Sequence, residues 1–351
     1  AAEYIRDRIR DLGLELLGDE GFQYFNVTKG VKAGDNNSFS FGEFKGELRK
    51  DFVPLSFSAS KRLIAKAVFA GYGLDVDEIG KKWMDYEGID VKDKWAVILL
   101  GDPEYKKRKS GFAEYRSQRS KVLKAQDKGA AGVIFVAPES FSSRDDLIEL
   151  KLSRVHTIVD IPVINITRAT ADKMLSEHST TIAKLEKDMI EEFNPKSFPL
   201  DLIIEASTDV QMLEVRTQNV VGMLQSNDPL LSKEYIVIGA HYDHLGMGGP
   251  GSGSRKPDTS AVHNGADDNA SGVSAIIEII EKLAANKDKL KRSVIFVAFG
   301  AEEMGLLGST YFVDNPPVPL KDIAFMLNLD MIGRIDPAKK ALTAYGTGTA
   351  E

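Results

Sequence analysis

The alternation of apolar and polar positions predicts short, separated elements in the first part of the chain. A helix is predicted over 3–17, where Ile5, Ile9 and Leu12 recur at helical spacing. A second, more polar helix is predicted over 114–128. Short apolar runs bounded by turn residues predict strands around these helices. The predicted strands are 22–27, 68–70, 95–100, 132–136 and 161–166.

The second part of the chain has a more regular rhythm. Helices are predicted over 273–284, with Ile276 and Ile280 on one apolar face, and over 306–313. Strands that alternate with helices favour a mostly parallel sheet covered on both faces, with its ligand beyond the carboxyl ends of the strands. The predicted strands are 202–206, 211–215, 220–224, 235–240, 294–299, 324–329 and 341–345.

Length and charge narrow the class of protein. The 351 residues, 43% apolar and 28% charged, are typical of two globular domains. A net charge of -7 argues against a nucleic-acid partner, and no apolar run reaches the ~20 residues of a membrane span. Because the chain has no cysteine, disulfides, thiolate metal sites and cysteine nucleophiles are excluded. The chain begins at Ala1 without Met and without a signal-peptide pattern, so we expect a processed or trimmed end.

Metal-ligand residue types follow three of the predicted strands in the second part. Because parallel strands end at the same edge of a sheet, we expect these side chains to converge, together with the acidic start of helix 273–284. Taken singly, each has an ordinary explanation as a cap, a turn or an exposed loop residue; their coincidence favours a metal site. The residues are His241, Asp243, Asp267, Asp268, Glu302, Glu303 and Asp330.

The mixture of imidazole and carboxylate ligands favours zinc, with manganese or cobalt as alternatives. Surplus carboxylates suggest two ions, because a bridging carboxylate offsets the repulsion between dications ~3.5–4 Å apart. Of the adjacent Glu302 and Glu303, one can ligate while the other faces the attacking water as a general base. His244 and His263 lie close in sequence, but we expect both to be supporting or surface residues.

Four ordered segments resemble the motifs of metallopeptidase family twenty-eight. This family includes bacterial leucyl aminopeptidases, glutamate carboxypeptidases and the inactive transferrin-receptor ectodomains. The resemblance implies a zinc exopeptidase fold, peptide substrates and an aminopeptidase activity. The segments are 239–244 (GAHYDH), 264–272 (NGADDNASG), 301–309 (AEEMGLLGS) and 328–333 (NLDMIG).

The resemblance also implies a role for each site residue. One zinc ion would be bound by His241 and Asp330, a second by Glu303, and both by Asp267 as a bridge. Glu302 would be the general base and would return its proton to the leaving amine. Asp243 would hold the His241 ring in its ligating tautomer. The family often has a cis peptide bond at the step that corresponds here to Asp267–Asp268.

A second resemblance concerns the first part of the chain. Looser motifs at 69–73 (FAGYG), 86–94 (YEGIDVKDK) and 129–134 (GAAGVI) are similar to those of the protease-associated domain. This resemblance implies a small, β-rich α+β domain inserted in the peptidase. With a predicted boundary near Asn194–Pro195 and Phe198–Pro199, the expected domains are 1–60 and 201–351 for the peptidase and 61–200 for the insertion.

One departure from the family pattern concerns the second zinc ion. The family supplies its last ligand from a histidine well after the Asp330 motif, whereas no histidine follows His263 here. We therefore expect the 351 residues to be a fragment that lacks the C-terminal part of the peptidase domain. The alternatives are a glutaminyl cyclase, which uses a single zinc ion, and an inactive relative that binds peptide or protein. The resemblance implies a secreted or periplasmic protein and leaves the oligomeric state open.

Overall fold

The computed structural model describes residues 1–152, 158–249, 252–338 and 340–346. Short 3₁₀ helices lie at Ala113–Tyr115, Ser176–His178, Lys287–Lys289 and Leu320–Asp322. The α-helices are α1 (Ala2–Asp11), α2 (Gln118–Asp127), α3 (Arg168–Met174), α4 (Ile182–Glu192), α5 (Ala270–Ala284) and α6 (Leu307–Asp314). The strands are β1 (Glu15–Leu16), β2 (Phe22–Ala33), β3 (Ser38–Phe41), β4 (Phe44–Lys45), β5 (Phe52–Pro54), β6 (Arg62–Ala70), β7 (Asp75–Glu78), β8 (Lys81–Met84), β9 (Trp95–Leu99), β10 (Gly132–Val136), β11 (Val163–Ile166), β12 (Ser197–Ser207), β13 (Val210–Leu224), β14 (Tyr235–His241), β15 (Ser293–Phe299) and β16 (Ile323–Asn328).

The chain divides into two compact units. The first consists of Ala1–Val27 and Glu214–Glu351, and the second of Thr28–Leu213. The boundaries at residues 60 and 200 stay a prediction; in the structure, β3 and β5 are strands of the second unit's sheet and β12 continues through Phe198–Pro199. None of the described helices is long and apolar enough to cross a membrane.

The first unit is built on a mixed sheet in the order β1-β13-β15-β14-β16, with β2 also paired to β13. Strands β14, β15 and β16 run parallel, and β13 is antiparallel to β15. Because parallel strands end at one edge, the residues after β14, β15 and β16 lie side by side. The predicted α/β class is confirmed for this unit, with a mixed sheet whose parallel strands are β14, β15 and β16.

Helices cover both faces of this sheet. On one face, Ile5 and Ile9 of α1 pack with Ile276 and Ile280 of α5 against β14 and β15. On the other face, Phe312 of α6 packs with strand residues that include Ile295 and Val297. The spacing of Ile276 and Ile280 by one helical turn explains why the buried face of α5 could be predicted from sequence.

The second unit contains an eight-stranded sheet in the order β4-β3-β12-β6-β9-β10-β11-β5, and the hairpin β7-β8. Strands β6, β9, β10 and β11 are parallel. Strand β12 is antiparallel to β6, β5 is antiparallel to β11, and β3 is antiparallel to β12. Hydroxyl side chains cap three helices: those of Ser117, Thr167 and Thr181 accept backbone N–H groups at the starts of α2, α3 and α4. The predicted β-rich α+β class is confirmed for this unit.

Several predicted elements differ from those observed. The first helix ends at Asp11, since Gly13 turns the chain with a φ of +81° and lets β1 pair with β13. The two strands predicted over 211–215 and 220–224 are one strand, β13. The strand predicted over 341–345 is wrong: these residues are exposed and have no regular secondary structure.

Candidate metal centre

Two groups of potential metal ligands lie at the carboxyl end of the parallel strands in the first unit. The first, which we call the His241 group, consists of His241, Asp268 and Asp330. The second, the His244 group, consists of His244, Asp268 and Glu303. Within each group, one ligand atom from every residue lies within 4.8 Å of the others. Asp268 belongs to both groups, so the two candidate sites are adjacent.

His241 is the best buried member of the site. It ends β14, is 2% exposed, and its Nδ1 donates a hydrogen bond to the main-chain oxygen of Asp243 at 3.1 Å. That bond leaves Nε2 as the free ring nitrogen, which faces Asp268 Oδ1 at 3.2 Å and Asp330 Oδ1 at 3.4 Å. A ring whose Nδ1–H is held by a carbonyl is pre-oriented to bind a metal through Nε2.

Asp268, and not the predicted Asp267, is the shared carboxylate. Its Oδ1 lies 3.2 Å from His241 Nε2 and its Oδ2 lies 3.9 Å from His244 Nδ1. Asp267 faces away from this centre: its Oδ1 accepts a hydrogen bond from the main-chain N–H of Gly333 at 2.8 Å. Asp267 is absent from both groups of ligands, so the structure does not place it at the predicted bridging position, whereas Asp268 belongs to both groups.

The backbone around this pair also differs from the expectation. The cis peptide bond lies at Asp268–Asn269, one step after the Asp267–Asp268 bond where it was expected. Adjacent aspartates cannot be distinguished by composition or periodicity, and only the course of the backbone decides which carboxylate enters the site. Both differences shift the assignment by one residue.

Glu302 and Glu303 follow β15 and point in different directions, as predicted. Glu303 Oε1 lies 2.7 Å from His244 Nδ1, whereas Glu302 Oε2 lies 3.9 Å from His241 Nε2. Burial raises the pKa of Glu302; the charges of Glu303, Asp243 and Asp330 add to the rise, and His241 opposes it. A carboxyl group with a raised pKa beside a cluster of ligands has the properties of a general base.

Asp243 supports this arrangement differently from the expectation. Its carboxylate accepts the main-chain N–H groups of Glu302 at 3.0 Å and Glu303 at 3.2 Å. The His241 ring is held by the main-chain oxygen of Asp243, since the nearest carboxylate oxygen is 3.8 Å from Nδ1. Asp243 therefore links the end of β14 to the segment that carries both glutamates.

His244 is the member of the site that the sequence interpretation placed outside it. Its Nδ1 contacts Glu303, and its ring lies 6.3 Å from the ring of His263. His263 itself is held by Ser254 Oγ at 2.9 Å and belongs to neither group. In the sequence, only the spacing of His241 and His244, three residues apart at a strand end, indicates this position. A turn after the strand can bring a second imidazole to the same edge of the sheet.

Two residues that flank site carboxylates have left-handed backbone conformations. Ala301 has a φ of +55° and Met331 a φ of +51°. Such a conformation costs a residue with a side chain about 1–2 kcal/mol. Ala301 directly precedes Glu302, and Met331 directly follows Asp330. Strained backbone of this kind is found most often at functional sites.

The chemistry of these residues fits a divalent transition metal. Imidazole and carboxylate donors without thiolates suit zinc, and carboxylates at such short separations repel one another unless a cation lies between them. His241, Asp268 and Asp330 would hold one ion. His244, Asp268 and Glu303 would hold a second.

Comparisons with known proteins agree with this chemistry. Peptidase family M28 matches residues 219–351, which include every residue of both ligand groups. The PA domain matches residues 59–174, within the second unit.

Individual relatives are aminopeptidases. The chain is 25% identical over 246 residues to aminopeptidase YwaD of Bacillus subtilis, covering 70% of this chain and 40% of that protein. It is 27% identical over 183 residues to the probable lipoprotein aminopeptidase LpqL of Mycobacterium tuberculosis, covering 52% of this chain and 28% of that protein. The solved structure of BSAP, a zinc aminopeptidase from Bacillus subtilis, is similar over 95% of this chain and 62% of its own, with 22% identity and a TM-score of 0.41.

The chain thus spans less than half the length of these two curated relatives. Residues 219–351 are thus similar to peptidase family M28, and residues 59–174 are similar to the PA domain.

Proposed function

We propose that this protein is a zinc-dependent aminopeptidase that uses Glu302 as its general base. The observation that carries the proposal is the convergence of the His241 group with Glu302, whose Oε2 lies 3.9 Å from His241 Nε2. The match to an M28 peptidase family and the aminopeptidase relatives support peptide bonds as the target. Peptides with a free amino terminus are the proposed substrates.

The two ligand groups support two ions per site. Asp268 offers one oxygen to each group, which is the arrangement that a bridging carboxylate requires. This sharing favours a two-ion hydrolase over the single-zinc glutaminyl cyclase alternative. When bound, zinc polarises a carbonyl group and lowers the pKa of a coordinated water toward neutrality.

The residues of the chain account for the proton movements. Glu302, with its raised pKa, takes a proton from the attacking water on a carboxylate oxygen and returns it to the nitrogen of the leaving peptide. Asp243 fixes the main chain of Glu302 so that this carboxylate stays beside the His241 group. Positioning of this kind is a large part of what an enzyme contributes to such a reaction.

The first test is the substitution Glu302→Gln, which keeps the size of the side chain and removes its basicity. We expect kcat on aminoacyl anilides to fall by roughly 10²–10⁴-fold, which is the usual contribution of a general base. Zinc content, measured by atomic absorption, should stay at the level of the unaltered protein. The matched control is Glu281→Gln on the exposed side of α5, which should leave both quantities unchanged. A Glu302→Gln protein with normal turnover would overturn the assignment.

The second test concerns the His244 group. Replacing His244 by Ala removes the imidazole that contacts Glu303 and leaves Asp268 and Glu303 as ligands. We expect the stoichiometry at limiting zinc to fall from two ions toward one, as measured by isothermal titration. His178, in the second unit, supplies the control substitution. Two tightly bound ions in the His244→Ala protein would show that His244 is not a ligand.

Localisation is proposed on narrower grounds. One relative is a probable lipoprotein aminopeptidase, which favours an extracellular or cell-envelope location for this chain as well. Secretion itself stays a prediction from the family resemblance.

A further inference from the structure

The start of α5 is tied to the end of β16 by an amide side chain that the proposed reaction does not use. Asn269 is 2% exposed and lies between the shared ligand Asp268 and the first turn of the helix. Its Nδ2 donates to the main-chain oxygen of Leu329 at 2.9 Å. Its Oδ1 accepts the main-chain N–H of Met331 at 3.2 Å. The two bonded peptide groups stand on either side of Asp330.

The same oxygen also caps the helix. Asn269 Oδ1 accepts the N–H of Gly272 at 3.0 Å, which is the usual contact of an asparagine N-cap. A helix cap needs an acceptor only. Capping does not need the hydrogen bond that Asn269 donates to Leu329 or the one that it accepts from Met331. Both bonds connect the side chain to the end of the neighbouring strand.

Neighbouring residues repeat the connection. Ser271 Oγ accepts the N–H of Ile332 at 3.1 Å and donates to the main-chain oxygen of Asp267 at 2.7 Å. Asp267 accepts the N–H of Gly333 at 2.8 Å. The side chains of residues 267, 269 and 271 thus all bind main-chain groups of 329–333, and Asn269 is the middle one of the three.

Close packing leaves this connection little freedom. A Cβ atom on Gly272 would lie 2.4 Å from the main-chain oxygen of Leu329, the same oxygen that Asn269 binds. A glycine at 272 is therefore required for α5 to approach the strand end this closely. Asp268 directly precedes Asn269, and Asp330 lies between Leu329 and Met331, the two residues whose main chain Asn269 binds.

We propose that Asn269 is a positioning residue that sets the separation between Asp268 and Asp330, and hence the affinity of the His241 group for its metal ion. The inference rests on the proposed function, because it assumes that the His241 group binds zinc. Both carboxylates face the same nitrogen, His241 Nε2, at 3.2 and 3.4 Å. Loss of the amide would let the two ligand-bearing segments separate without removing any ligand.

The test is Asn269→Ser in the intact protein, since serine keeps a helix-capping acceptor but cannot span to Leu329 and Met331. We expect the zinc dissociation constant, measured by competition with a chromogenic chelator, to rise about 10–100-fold, as for other partners that orient metal ligands. The visible spectrum of the cobalt-substituted protein should change, because the ligand geometry changes. Asn286→Ser near the other end of α5 is the matched control, since its amide also bonds the main chain, at Lys282.

The outcomes separate this inference from the proposed function. Unaltered zinc affinity and an unaltered cobalt spectrum in Asn269→Ser would overturn the positioning role while leaving the metal site intact. Failure of the unaltered protein to bind zinc would instead overturn the proposed function. If Asn269→Ser does not fold, Ser271→Ala removes the adjacent contact to Ile332 and keeps the asparagine cap. Weakened zinc binding in that variant supports the role, and unchanged binding contradicts it.

Discussion

Lys121 is a lysine whose side chain is buried inside the second unit. Its side chain is enclosed, and its Nζ donates to the main-chain oxygens of Leu99 at 2.8 Å and Gly101 at 2.6 Å. Burial lowers the pKa of Lys121 to about 7, although the charges of Asp85 and Asp102 oppose that shift. A buried lysine with a lowered pKa makes the free energy of unfolding depend on pH between the lowered pKa and the ordinary one.

The substitution Lys121→Met tests this dependence. Because the folded-state pKa lies below the ordinary value of 10.5, the stability linked to Lys121 is fully present above pH 10.5. It is lost progressively as the pH falls from 10.5 to about 7. Between pH 8 and 10, we expect the free energy of unfolding of the unaltered protein to rise by about 1.4 kcal/mol for each unit of increasing pH, relative to that of Lys121→Met.

Urea unfolding at several pH values measures this difference directly. Lys187→Met, at an exposed position of α4, is the control and should follow the unaltered protein at every pH. Parallel stability curves for the unaltered protein and Lys121→Met would contradict the lowered pKa.

Among single residues, the sequence predicted chemical type better than exact position. His241, Glu303 and Asp330 lie in the ligand groups, and each is at or within four residues of the end of a recognisable apolar strand. Asp267 and Asp268 are identical in type, so composition does not show which of them enters the site; the cis peptide bond follows the second, at Asp268–Asn269. His244 was placed outside the site because a strand pattern does not show how the following loop turns.

At the scale of elements, the segment between β15 and α6 carries both glutamates and is held against a strand. Asn219 of β13 accepts the N–H of Gly300 at 3.1 Å and donates to the main-chain oxygen of Gly308 at 2.8 Å. A Cβ atom on Gly308 would lie 2.2 Å from the main-chain oxygen of Gly300. The first turn of α6 can therefore approach the end of β15 only because residue 308 is glycine.

The substitution Gly308→Ala should disturb this contact. We expect the free energy of unfolding to fall by about 1–3 kcal/mol, which is typical of overpacking. Zinc affinity should fall as well, since the displaced segment carries Glu303. Gly30→Ala in β2 is the control, because its Cβ would meet Leu213 Cδ1 at an ordinary 3.7 Å. Thermal melts and zinc titrations of both variants measure the effects, and equal stability of the two would contradict the steric argument.

Elements with a clear buried face were predictable, and short edge elements were not. Strand β10 was predicted with its exact bounds because all five of its residues are apolar and buried. Strands β3, β4, β7 and β8 were missed, since they are two to four residues long and partly exposed. Their positions depend on pairing with distant strands, which local patterns do not contain.

For the whole molecule, the class of each unit followed from the sequence more readily than the division between them. The alternation of strands and helices after residue 220 predicted the parallel sheet of the first unit. The division falls within β2 and β13, two long strands that each continue from one unit into the other. An unbroken strand gives no change in composition at such a point, whereas Pro195 and Pro199 are the change on which the boundary predicted near residue 200 depends.

The discontinuous first unit has a consequence for how the chain assembles. Its helix α1 belongs to the same apolar core as α5, although roughly two hundred residues separate Val27 from Glu214. Bringing the ends of an unstructured loop of that length together costs about 4–5 kcal/mol of chain entropy. Within the folded second unit Gly30 lies beside Leu213, so a folded insertion holds its own two ends close together, and the chain-entropy cost of closing that loop falls to the folding of the insertion.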